Sequence, residues 1–127
     1  MKLVEHSLST LKHFDKNREY SMDDLIPYDA FCDRFVRALE MSFKLFRTYE
    51  IYLYGISSDT LRDTLNKMAK LEVVSQVDIW FEMRNLRNKV AHEYAPKQYQ
   101  EMIHLMIDKY VLELEFCKRK VIAQIKS

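Results

Sequence analysis

The chain has 127 residues, which suits one domain with a single hydrophobic core, and we expect one domain over residues 1–127. Hydrophobic residues make up 48% and charged residues 31%, which excludes a disordered chain, while one Gly and two Pro favour long helices over a β-sandwich or barrel. The net charge of +1 gives no overall attraction to nucleic acid, so any contact with RNA or a nucleotide depends on a local patch.

Two helices are predicted in the first half of the chain. The first runs from about Lys2 to Arg18, and the polar stretch from Asp15 to Asp24 is predicted to hold a loop. The second runs from about Pro27 to Tyr54, and the only Gly, Gly55, follows it where a left-handed C-terminal cap is favoured. Its predicted apolar face has residues at three- and four-residue steps: Phe31, Phe35, Ala38, Ser42, Leu45 and Tyr49, widened by Leu39, Phe43 and Phe46.

Three further helices are predicted in the second half. The third runs from about Thr60 to Leu71 and the fourth begins at Ser75, each with a serine or threonine followed three residues later by an aspartate, as in a capping box. The fourth helix carries the apolar stripe Ile79, Met83, Leu86 and Val90 and should end near Glu93 to Ala95, because Pro96 disfavours helical geometry at Ala95. The fifth runs from about Pro96 to Ile125, with Tyr99, Ile103, Met106, Tyr110, Leu114, Cys117, Val121 and Ile125 in step. No segment alternates with period two for long, so we predict an all-α, up-and-down bundle of about five helices.

The cysteines and the apolar stretches bear on the compartment. Cys32 and Cys117 lie in apolar helical patterns, which favours buried free thiols and a cytoplasmic protein. No signal peptide is visible, and the stretch from Ile51 to Ile56 is far shorter than the ~20 residues that cross a bilayer. No Cys-x-x-Cys or other ligand-rich motif is present, so we expect no metal, no cofactor and no membrane segment.

The main candidate site is the end of the fourth helix, where Arg84, Arg87, Asn88, His92 and Tyr94 follow one another. An arginine presents a fork of donors that fits phosphate, and a histidine exchanges a proton near neutral pH. Together they form a minimal set for cleaving a phosphodiester without metal. On a straight helix, Arg87 and His92 lie roughly 140° apart, so a helix break near Pro96 or a second subunit is needed to bring them together.

A purely structural interpretation of the same residues is also open. Arg84 and Arg87 would then pair with Asp78, Glu82 or Glu93 on a solvated face, and His92 would cap the helix. Arg-x4-His by itself is a weak signal, because such pairs occur by chance in many helices. Trp80 is predicted to lie in the core or an interface, because it is at helical spacing with Met83.

The run from Arg87 to Tyr94 resembles the Arg-x4-His-x-Tyr motif of HEPN domains, in the branch that contains the HepT-like toxins. Asn88 supplies the polar residue that follows the arginine in that motif. The resemblance implies a small helical bundle that forms a homodimer with its motifs facing across the interface. It also implies a metal-independent endoribonuclease, with RNA as substrate, encoded beside a small nucleotidyltransferase that acts as antitoxin.

Under that resemblance, each motif residue takes a role. His92 would be the general acid or base, Arg87 would stabilise charge on the phosphate, and Asn88 and Arg84 would support phosphate binding. Tyr94 matches the tyrosine that the nucleotidyltransferase modifies. Two alternatives remain open. The first is a binding module that cuts no RNA and binds a nucleotide or the nucleotidyltransferase. The second is a structural helical dimer.

Overall fold

The computed structural model describes residues 20–90 and 96–126, and every regular element among them is helical. The elements in chain order are α1 Met22–Leu25, a 3₁₀ turn Ile26–Tyr28, α2 Asp29–Tyr54, α3 Leu61–Lys70, α4 Val77–Val90, α5 Pro96–Leu105, a π-helical segment Met106–Tyr110 and α6 Val111–Lys126. The prediction of an all-α fold is confirmed. The first predicted helix, about Lys2 to Arg18, lies outside the described residues.

The ends of α2 and α3 follow from local chemistry. Gly55 takes φ 83° and its N–H donates to the Ile51 carbonyl at 2.8 Å, which confirms the predicted left-handed cap. The Thr60 hydroxyl accepts from the Asp63 N–H at 3.2 Å, so α3 begins where its N-cap was predicted. These boundaries depend on neighbouring residues only, which is why the sequence predicts them well.

Two predicted boundaries were wrong. The end of the predicted Asp15 to Asp24 loop belongs to α1, because Ser21 and Asp24 form a capping box that satisfies two backbone N–H groups. Ser75 does not cap α4 as predicted. Its hydroxyl donates to the Glu113 carboxylate instead, and the helix begins two residues later at Val77.

Three long segments pack side by side and alternate in direction. α2 and the α5–α6 segment run in parallel, because Phe35 packs near Tyr110 and Tyr49 donates to Gln124 at 2.6 Å. α4 runs against them, since Trp80 at its start meets Phe46, in the second half of α2. This arrangement is the predicted up-and-down bundle, with the short α3 beside the C-terminal half of α2.

The core confirms the helical periodicity but moves the buried face of α2. Phe31 and Phe35 are buried as predicted, and Leu45 is 43% exposed. The buried stripe instead continues through the residues that were expected only to widen the face: Leu39, Phe43 and Phe46. Because α2 has apolar residues on two sides, the sequence allows either side to be the buried face. Packing against Trp80 and α6 selects which of the two is buried.

Other core predictions have mixed outcomes. Trp80 is fully buried, and Cys32 and Cys117 are buried free thiols, as predicted. Burial raises the pKa of Cys32 to about 11 and that of Cys117 to about 12, which keeps both thiols protonated. Ile125 was predicted to lie in the buried stripe of the last helix and is 71% exposed, because the core ends near Val121. No helix in the described ranges is both long enough and apolar enough to cross a membrane.

Glu50 continues the buried stripe of α2 as a charged residue. Its carboxylate accepts from the Ser58 N–H at 2.8 Å, the Ser58 hydroxyl and the Thr64 hydroxyl at 3.1 Å, and it pairs with Lys67 at 3.0 Å. Burial opposes its ionisation, but these donors outweigh burial and lower the pKa of Glu50 to about 2. The carboxylate therefore joins α2, the following loop and α3.

We expect Glu50→Gln to lower the free energy of unfolding at pH 7 by about 2 kcal/mol, because buried donors lose a charged acceptor. A folded-state pKa below the unfolded value means that this contribution is present above pH 4.5 and is lost as pH falls toward 2. Urea unfolding between pH 2 and pH 7 measures it, and the variant should show a weaker acid dependence. The exposed Glu101→Gln is the matched control. Equal pH dependence in the parent and Glu50→Gln would contradict this role.

Candidate phosphate-binding site

The last two turns of α4 carry the described part of the predicted motif. Arg84 and Asn88 are exposed and Arg87 is half-buried, while Met83 and Leu86 on the same helix enter the core. Packing of these apolar residues therefore directs the two arginines and Asn88 outward. His92 and Tyr94 lie outside the described residues.

Asn88 contacts Arg87 directly. The Arg87 guanidinium donates to the Asn88 side-chain oxygen at 3.3 Å. The bond uses one of five guanidinium donors, so the remaining N–H groups stay available for a ligand. Asn88 thus helps to orient Arg87, rather than contacting a ligand through that oxygen.

The proposed ion pairs within α4 are not present among the described residues. Glu82 pairs with Lys109 of the π-helical segment, at 3.2 and 3.0 Å to its two carboxylate oxygens, and this contact raises the pKa of Lys109. Within residues 20–90 and 96–126, neither Arg84 nor Arg87 makes an ion pair. Glu93, the third proposed partner, lies outside the described residues.

Arg84 and Arg87 line a cleft of about 340 Å³ between α2 and α4, which we call the basic cleft. Its other lining residues come from α2 and the start of α3: Glu40, Phe43, Lys44, Arg47 and Leu61. Four cationic side chains and one carboxylate thus line the cleft together with the apolar side chains of Phe43 and Leu61. The cleft is therefore a local positive patch, which the near-neutral net charge of the chain does not reveal.

Arg87 also lines a second cleft, which we call the acidic cleft, of about 530 Å³. The others that line it are Asp29, Cys32, Asp33, Val36, Glu40 and Tyr99. Asp33 pairs with Arg37 at 3.2 Å, and the Tyr99 hydroxyl donates to Asp29. Burial and that carboxylate raise the pKa of Tyr99, so its hydroxyl stays protonated. Arg87 therefore lies at the boundary between a positive and a negative surface.

The basic cleft has the chemistry of an anion site. Guanidinium and ammonium groups without acidic partners bind phosphate through charge-assisted hydrogen bonds, and the arginine fork binds it in bidentate fashion. Among the described residues there is no group of three or more His, Cys, Asp or Glu placed to hold a metal ion.

Lys44, Arg47 and Glu40 were missed from the sequence as candidate site residues. The available signal was the i,i+3 spacing of Lys44 and Arg47, which matches that of Arg84 and Arg87. Spacing alone does not say that the two pairs face one another, because that depends on the packing of α2 against α4.

The described residues define a small all-helical protein whose basic cleft is lined by Arg87, the arginine of the Arg-x4-His-x-Tyr sequence motif. Residues 1–122 match the family model described as nucleotidyltransferase substrate binding protein like. The chain therefore belongs to this family, which is part of the HEPN-like superfamily, and the predicted HEPN resemblance is confirmed at that level. Comparison with the curated proteins gave no match, and neither did comparison with the solved structures.

Proposed function

We propose that this protein is a HepT-like toxin, a metal-independent endoribonuclease that acts on RNA in the cytoplasm. The observation that carries the proposal is the environment of the Arg87 side chain. Arg87 lines the basic cleft, makes no ion pair among the described residues and donates a hydrogen bond to Asn88. The full Arg87-x4-His92-x-Tyr94 motif in a chain of the HEPN-like superfamily supports the same conclusion.

The proposed reaction needs two groups from the motif. His92 acts as general acid or base at the ribose 2′-hydroxyl or the leaving oxygen. Arg87 stabilises the negative charge that grows on the phosphate in the transition state, and Arg84 and Asn88 support phosphate binding and the position of Arg87. Attack by the 2′-hydroxyl breaks the bond from phosphorus to the 5′ oxygen and leaves a 2′,3′-cyclic phosphate.

A homodimer would bring the two motifs together. A symmetric pair repeats the same patch across its axis, so Arg87 of one copy can meet His92 of the other. The dimer thus overcomes the separation of roughly 140° that the two residues would have around one straight helix. Large apolar side chains on and just after α2 are exposed and offer surface for such a contact: Met41 at 64%, Tyr52 at 82% and Ile56 at 70%.

The proposed partner is a small nucleotidyltransferase that acts as antitoxin. The family description names a nucleotidyltransferase, which supports a partner of that enzyme class. Tyr94 is the proposed acceptor. Its hydroxyl oxygen would bond to the α-phosphorus of a nucleoside triphosphate, with release of pyrophosphate. The added anion would block the Arg87–His92 pair by occlusion and by charge.

The second candidate is a binding partner that cuts no RNA. The words "substrate binding" in the family description favour it, because they assign binding and no cleavage. In this case the basic cleft would hold a nucleotide or phosphate for a nucleotidyltransferase, or the chain would present Tyr94 to that enzyme.

The test is incubation of total RNA with the purified chain in excess EDTA, with the state of Tyr94 checked by intact mass. We expect cleavage, with 2′,3′-cyclic phosphate at the new ends. Intact RNA after incubation with a protein of unmodified mass would reject the endoribonuclease. Nucleotide binding or binding to the nucleotidyltransferase by that same protein would then support the second candidate.

A further inference from the structure

The basic cleft contains two pairs of like charges that face one another. Lys44 and Arg47 are separated by one turn of α2, and Arg84 and Arg87 by one turn of α4. Like charges at this spacing destabilise a helix slightly. Among the described residues none of the four makes an ion pair, so the repulsion is relieved by solvent, by the Glu40 carboxylate that lines the same cleft or by a bound anion.

We propose that the basic cleft binds the backbone of single-stranded RNA, with Lys44 and Arg47 as a second phosphate-binding pair beyond Arg84 and Arg87. The identity of the ligand as RNA rests on the proposed function. The placement of a second pair rests on the cleft alone.

The shape of the cleft favours a strand over a small nucleotide. Small-molecule sites are concave and bury most of the ligand, whereas this cleft is open to solvent between two helices. Two cation pairs on opposing helices can contact consecutive phosphates as a strand passes between them. The apolar side chains of Phe43 and Leu61 offer no acceptor that competes for these cations, which leaves Glu40 as the one carboxylate among the lining residues.

The acidic cleft sets the direction of the strand. On the far side of Arg87, the carboxylates Asp29 and Asp33 repel phosphate, and Glu40 lines both clefts at their boundary. The strand therefore leaves Arg87 toward Arg47. Scission occurs at the end of the cleft that Arg87 lines, and Lys44 and Arg47 position the flanking RNA backbone.

The test compares RNA binding by His92→Ala, which prevents turnover, with binding by the same chain carrying Lys44→Ala and Arg47→Ala. Fluorescence anisotropy with an unstructured RNA of roughly a dozen nucleotides reports affinity across a salt series. Loss of two phosphate contacts should weaken binding roughly tenfold at moderate salt and reduce the slope of log affinity against log salt by about 1.4. A nucleoside triphosphate serves as the small-ligand probe and should bind much more weakly than the RNA.

Two controls separate position from charge. Lys70→Ala with Arg119→Ala removes the same two residue types from exposed positions outside the cleft and should leave binding unchanged. Lys44→Arg with Arg47→Lys keeps both charges and should retain most of the affinity. Since Lys44 and Arg47 are exposed, circular dichroism should show an unchanged helix content in every variant.

The outcomes distinguish this inference from the proposed function. Cleft-dependent RNA binding by a chain that cuts no RNA would support the inference and reject the nuclease. Unchanged binding by the Lys44→Ala/Arg47→Ala variant of a chain that does cut RNA would overturn the inference alone. If a nucleoside triphosphate binds as tightly as RNA and loses as much affinity in the Lys44→Ala/Arg47→Ala variant, the cleft is a site for a small nucleotide. That result would overturn the proposal that the cleft binds an RNA strand.

Discussion

Arg87→Ala is expected to lower the rate of RNA cleavage by roughly a hundredfold to a thousandfold, the usual effect of removing one donor that stabilises a transition-state charge. The loss should not come from unfolding, because Arg87 is only half-buried and its one described hydrogen bond is to the adjacent Asn88. Unfolding free energy should stay within about 0.5 kcal/mol of the parent value. Single-turnover cleavage in EDTA, with urea unfolding beside it, measures both.

Two further substitutions identify what Arg87 contributes. Arg87→Lys keeps the charge and removes the bidentate fork, so its rate should lie between those of the parent and Arg87→Ala. His92→Ala should lose roughly a hundredfold or more, because a proton-transfer group is missing. The exposed Lys70→Ala is the control and should cleave like the parent. If Arg87→Ala and His92→Ala both cleave at the parent rate, the motif does not form the catalytic site.

The same variants separate the two candidate functions. In a binding module, Arg87→Ala would weaken binding of a nucleotide or of the nucleotidyltransferase, and no parent cleavage would exist for His92→Ala to remove. In a structural dimer, neither substitution would change any of these measurements. The pattern across Arg87 and His92 therefore decides among the alternatives that the sequence leaves open.

Much of the fold was predictable because its signals are local. The cap at Gly55 and the N-cap at Thr60 depend on residues within one turn, and the burial of Trp80 follows from helical spacing. The buried face of α2 was less predictable. Its apolar residues fit two faces, and packing against α4 and α6 selects the one through Leu39 and Phe43.

The candidate site divides in the same way. The position of Arg87 and Asn88 near the end of a helix follows from the sequence, whereas the contribution of Lys44 and Arg47 depends on two helices meeting at one register. Composition hides this patch, since the cations that make it are balanced by carboxylates elsewhere in the chain.

Buried carboxylates are the clearest features that sequence reasoning missed. Glu50 and Glu113 look like ordinary surface residues in a helix with many charges, yet they are 0% and 6% exposed. What allows each to be buried is a set of donors distant in sequence, such as Ser75 and Trp80 for Glu113. No pattern within one helix reports such partners.

Glu113→Ala is expected to lower the free energy of unfolding by about 3 kcal/mol, which is among the larger effects of a single substitution. The Glu113 carboxylate accepts from the Ser75 N–H at 3.0 Å, from the Ser75 hydroxyl and from the Trp80 indole N–H at 2.9 Å. Removing it leaves the buried Trp80 donor without an acceptor and detaches the start of α4 from α6. Urea unfolding followed by circular dichroism measures the loss.

A double-mutant cycle tests whether the carboxylate acts through the indole. Glu113→Gln keeps one accepting oxygen and should cost less than Glu113→Ala, while Trp80→Phe removes the N–H and keeps an aromatic ring against Phe46. The costs of Glu113→Ala and Trp80→Phe should not add in the double variant, because both remove the same hydrogen bond. The exposed Glu101→Ala should change stability by less than about 0.5 kcal/mol. Additive costs for Glu113→Ala and Trp80→Phe would show instead that the two side chains stabilise the bundle independently, with the carboxylate acting through Ser75 alone.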